Sequence, residues 1–142
     1  MIRKPDWQSA LSAYLAEHEK TRFRYGQWDC CLFACDAIQA MTGVDVAAYY
    51  RGAYRDRRGA LRAIAERTGV ASIRCVAHSV TEIYEMPKRP ISTAQRGDVV
   101  LLERGRDYSL GIVDLTGSKI AVAAAVGLLR IPLQSAVCAW QV

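Results

Sequence analysis

The chain has 142 residues, 51% apolar and 23% charged, with a net charge of +5. That length suits one domain, 1–142, whose core needs no covalent staples. No apolar stretch reaches the ~20 residues of a membrane span, no low-complexity tract or repeat is visible, and Met1-Ile2-Arg3-Lys4-Pro5-Asp6 has no secretory apolar region, so no signal peptide is expected.

The first predicted helix starts at Asp6, whose carboxylate suits an N-cap. Trp7, Leu11, Tyr14, Leu15 and His18 then share one face at helical spacing. Thr21 to Trp28 breaks that period, with Gly26 as the turn. A second helix runs from about Cys30 to Thr42 and ends at Gly43. Only Asp36 and Gln39 are strongly polar in it, which predicts a central, buried helix. A third helix spans Arg58 through Arg67, turns Leu61, Ile64 and Ala65 inward, and stops at Gly69.

The pattern changes after Pro87 and Pro90. Strands are predicted at Val99–Leu102, Leu110–Val113, Ile120–Ala125, Leu128–Ile131 and Ala136–Val142, the first four joined by turns at Gly105, Gly117 and Gly127. Helices over about 1–70 and strands over about 97–142 give an α+β class. The expected architecture is N-terminal helices packed on one face of a C-terminal antiparallel meander.

The five cysteines, Cys30, Cys31, Cys35, Cys75 and Cys138, are odd in number and two are adjacent. That fits a disulfide framework poorly, and reduced thiols in a cytosolic setting are expected. Cys30 heads the buried helix, behind Asp29 as a natural N-cap. Unpaired N–H groups and the helix dipole favour an anion there, so the thiol tends toward the nucleophilic thiolate. The alternative is a small buried hydrophobe.

Asp29-Cys30-Cys31-Leu32-Phe33 resembles the Asp-Cys-Ser-Gly-Phe signature of the NlpC/P60 cysteine peptidases. Gly97-Asp98-Val99-Val100-Leu101-Leu102 resembles that family's Gly-Asp-Leu-Val-Phe-Phe strand, and Ser109-Leu110-Gly111-Ile112-Val113 falls where it has His-Val-Gly-Ile-Tyr. The chain is more closely similar to small NlpC/P60-like proteins of phage and prophage tail modules. In these a Trp-Asp-Cys-Cys-like motif, an Arg-Gly-Asp-Val strand, a Leu-Gly-Ile strand and a terminal Ala-Trp recur. The resemblance implies a papain-like α+β fold, a place in a tail tip or baseplate of the virion after synthesis in the bacterial host cytoplasm, and other tail proteins, with peptidoglycan, as partners.

The departures from that family decide the expected activity. The nucleophile position is Cys30, but the position of the general base is Ser109. Serine cannot take a thiol proton at neutral pH, whereas imidazole titrates in the right range. The family's third polar residue falls near Lys119 to Ala123, where no His, Asn or Gln stands. A chain that keeps the fold and the docking role without catalysis is therefore expected. The competing reading is a working peptidase or amidase in which Cys30 is served by His18, on the first helix, or by His78, in the linker before the sheet.

Other chemistry is set aside. Cys31 and Cys35 share a helix face, yet paired Cys-x-x-Cys spacing is absent, so neither metal nor cofactor is expected. Arg55-Asp56-Arg57-Arg58 reads as a solvated helix start, and no nucleic-acid partner is expected. Tyr49, Tyr50 and Tyr54, interleaved with Arg51 and Arg55, form a candidate docking surface, because Tyr and Arg are enriched at interface hot spots.

Overall fold

The computed structural model describes all residues, 1–142. Four helices come first: α1 (Trp7–Glu17), α2 (Cys30–Thr42), α3 (Arg57–Thr68) and α4 (Ile73–Ile83). Six strands follow: β1 (Lys88–Arg89), β2 (Val99–Arg104), β3 (Asp107–Val113), β4 (Lys119–Ala123), β5 (Leu128–Pro132) and β6 (Ala136–Trp140). The class is α+β, as the sequence predicts. No helix is long and apolar enough to cross a membrane.

α2 has the predicted bounds because both of its ends are specified locally. The Asp29 carboxylate accepts from the N–H groups of Cys31 and Leu32, and Gly43 closes the helix at φ 81°. Between them, Leu32, Phe33, Ile38 and Met41 are almost wholly buried. Each such side chain contributes about 1.5–3 kcal/mol of transfer free energy. α2 packs against α1, β3 and β4, which makes it the central helix. α1 begins after Asp6, but the Asp6 side chain makes no capping bond.

The sheet order is β1-β6-β2-β3-β4-β5 and every pairing is antiparallel. β2 to β5 form the expected meander. β6 departs from it, crossing back to pair with β2 instead of continuing beyond β5. β2 is buried on both faces: Val99 and Leu101 join the helix-side core, while Val100 and Leu102 join a second cluster with Val113, Ile120, Val122, Ala136 and Ala139. Ile91 and Leu133, from short 3-10 turns at 91–93 and 133–135, pack against that second cluster. The far face of the sheet is thus a core of its own, which explains why β2 reads as an unbroken apolar run.

Several boundaries differ from the sequence reading, among them the β2–β3 hairpin, where β2 runs on to Arg104 and β3 begins at Asp107. The helical part extends to Ile83, since residues read as a linker form α4. β4 ends at Ala123 and β6 at Trp140, each two residues early. β1 is an added two-residue edge strand beside β6. Arg3 and Asp98 tie the N-terminal segment to the sheet at 2.9 Å, and Arg89 approaches the other oxygen of Asp98.

Candidate functional site

The start of α2 meets β3. The Cys30 sulfur lies 3.9 Å from that of Cys31. The Cys31 thiol, the Ser109 hydroxyl and the Leu110 N–H stabilise the Cys30 thiolate, while burial and the Asp29 carboxylate oppose it. The balance holds the Cys30 thiol below the ordinary thiol range. Donation to Cys30 and burial push Cys31 the other way, and burial raises Cys35 to about 12. Of the three thiols, only Cys30 is shifted toward the thiolate.

Asp29 holds this arrangement together. It is 2% exposed. One carboxylate oxygen accepts from Cys31 and Leu32 N–H, and the other from Gly26 N–H at 3.0 Å and the Tyr54 hydroxyl at 2.6 Å. Gly26 sits at φ 76°, with its Cα against the Tyr54 carbonyl, where any Cβ would collide. The turn before α2, the N-cap and the Tyr54 loop are thus locked to one another.

Cys30 opens onto a cavity of about 430 Å³ between α2, α3, α4 and the sheet. Its wall is mostly apolar, with Ile38, Ile64, Val76, Val80 and Trp140 among the lining residues. Arg57, Arg104, Arg106, Asp107, Tyr25 and Tyr108 line it as well. Tyr25 was not singled out by sequence. Burial and the neighbouring Cys30 thiolate raise its phenol.

Neither histidine lines this cavity. His18 bonds Thr21 through Nδ1 at 2.9 Å and stacks on Trp28. His78 is not a loop residue: it lies on α4 and packs edge-on against Trp140 at 5.1 Å. β4 supplies no polar partner either, since Ile120 to Ala123 are buried and Lys119 is exposed. All five cysteines are free thiols. Asp29, Cys30 and Cys31 bring three ligand-type atoms within 4.8 Å. A metal there would have to displace a donor from an Asp29 oxygen, each of which already accepts two hydrogen bonds.

The predicted docking set does not form one surface. Tyr54 is buried beneath Asp29. Arg51 is held by Asp36 and Asp45. Tyr49 is exposed beneath the Arg67 guanidinium, Tyr50 is half-buried, and Arg55 is exposed. The basic run beside it is the predicted helix start, with Asp56 capping Gly59 N–H.

A family model for a domain of unknown function, DUF6950, matches residues 2–142, and the chain belongs to that family. No curated protein matches it.

Proposed function

We propose that this member of the DUF6950 family is an NlpC/P60-like domain of papain-like fold that has lost its general base and serves as a structural component of a phage tail tip or baseplate. The observation that carries the reading is the meeting of Cys30 with Ser109. A thiol at a helix N-terminus is paired with the strand position where the resembling peptidases have histidine. A hydroxyl can donate to the thiolate but cannot take up its proton. No imidazole lines the cavity to replace it. Loss of the base from an activated nucleophile removes on the order of 10³ or more in rate. The tail-tip role rests on the resemblance of the Trp28-Asp29-Cys30-Cys31 and Arg96-Gly97-Asp98-Val99 segments to tail-module proteins.

The test has two arms. Cys30→Ser in the particle should leave tail assembly and infectivity near wild type; intact particles with a large loss of infectivity would refute the reading. Ser109→His in the purified protein should raise Cys30 alkylation near pH 6 by about tenfold or more, because an imidazolium then faces the thiolate. An unchanged rate would mean that position 109 is not the base position.

A second reading is favoured by one observation, the depressed Cys30 thiol opening onto a cavity. In it, Cys30 attacks a peptide or amide carbonyl of peptidoglycan during phage entry. Hydrolysis of stem peptides by the wild-type protein, abolished in Cys30→Ser, would establish it.

A further inference from the structure

We propose that the cavity beside α2 is a binding site for a single-chain aliphatic anion, with the chain along the apolar wall and the head group at Arg104 and Arg106. The inference stands apart from the tail-tip reading and does not require Cys30 to be catalytic.

Three observations converge. The volume, about 430 Å³, falls within the range of about 300–1,000 Å³ usual for small-molecule pockets. Ile38, Val46, Ile64, Val76, Val80 and Trp140 line it from α2, α3, α4, β6 and the loop after α2. The polar groups of the interior are already spoken for. Both oxygens of Asp29 are saturated, Thr81 donates to the His78 carbonyl, and Ser109 is engaged with Cys30. No buried side-chain nitrogen or oxygen lacks a partner. A peptide threaded here would bring an amide donor and acceptor per residue and find few matches. A hydrocarbon chain has no such requirement.

The charge sits on the β2–β3 hairpin, whose arginines share the lining with the apolar wall. Arg57 is neutralised by Asp107. Arg104 and Arg106, both exposed, enter no ion pair. Two free guanidinium groups beside an apolar wall complement an anion carried on a hydrocarbon chain, and they disfavour a cation or a neutral head.

Calorimetric titration with hexanoate, octanoate and decanoate tests this directly. Affinity should rise about fourfold per methylene until the cavity is full. Decanoate should also slow alkylation of Cys30, whose thiol opens onto the same space. Decanol in place of decanoate, or the double variant Arg104→Ala/Arg106→Ala, should weaken binding about three- to tenfold. Both arginines are exposed, so an unchanged thermal unfolding curve should accompany that loss. Affinity independent of chain length, Cys30 alkylation unchanged at saturating decanoate, or association with anionic vesicles without protection by free decanoate would each overturn the proposal.

Discussion

Removing the Asp29 carboxylate probes the site more sharply than removing the thiol. In Asp29→Ala, α2 loses its N-cap, at about 1 kcal/mol. The buried Tyr54 hydroxyl and the Gly26 N–H lose their acceptor, and stranding a buried polar group costs about 1–3 kcal/mol. The sum predicts destabilisation of at least about 3 kcal/mol, or roughly 10 °C or more in Tm for a chain of this size. Asp29→Asn should cost less, about 1–2 kcal/mol. Its remaining oxygen still accepts from Cys31 and Leu32 N–H, the Tyr54 hydroxyl can turn to accept, and only Gly26 N–H is left facing a donor. The same variant removes a negative charge that raises the Cys30 thiol. Its Cys30 alkylation profile should therefore move to lower pH while the fold weakens. Urea unfolding at neutral pH and alkylation read by peptide mass spectrometry measure the two effects. An alanine variant within about 1 kcal/mol of wild type, or an asparagine variant whose Cys30 profile stays put, would refute this account of Asp29.

The remaining predictions concern the thiols and the buried ion pair. Cys30 should react with iodoacetamide first, and Cys35, pushed to about 12, should react only on unfolding; equal rates for the two would refute the assigned environments. Because the Cys30 thiol is depressed on folding, its stabilising contribution is complete above the ordinary thiol value and is lost as pH falls through the depressed one. The stability gap between wild type and Cys30→Ser should accordingly be more favourable to wild type near about pH 9.5 than near about pH 6, as read by urea titration at both. Asp98→Ala strands Arg3 and Arg89 beside a wholly buried position, at about 3 kcal/mol. A loss under about 1 kcal/mol would mean that the N-terminal segment is anchored elsewhere.

What was legible in the sequence follows the range of the interactions involved. α2 could be bounded because Asp29 and Gly43 act within a few residues of its ends. α3 could be closed at Gly69 for the same reason. α4 carried a usable signal, since Ile73, Val76, Ala77 and Val80 follow helical spacing. It was obscured by β-branched residues and by the lack of a terminal glycine. The return of β6 to β2 is set by pairing Val99 with Trp140, some forty residues apart in sequence, and no local pattern encodes it. Tyr54 shows the same limit within the site. Five aromatic and basic residues in a loop look alike in sequence, and only the distant Asp29 decides that this tyrosine turns inward. Arg104 and Arg106 carried no motif at all, since their relation to the cavity arises from the β2–β3 hairpin meeting the helices.

The poised Cys30 thiol does not by itself argue for catalysis. Its low proton affinity has two sources: the neighbouring Cys31, and the Ser109 and Leu110 donors on β3. Both are built into the first turn of α2 and its docking on the sheet, and they persist whether or not a substrate is ever turned over. Catalysis adds a separate demand, a group that accepts the thiol proton and later returns it to the leaving group. The thiolate donors supply stabilisation without proton exchange. The two histidines that could exchange protons are held away from the cavity lining, one against Trp28 and the other against Trp140. A scaffold of this kind that lost its reaction through one position on β3 would still keep a reactive-looking cysteine, because the contacts that lower the thiol come with the docking of the central helix on the sheet, against the opposing charge of its Asp29 cap.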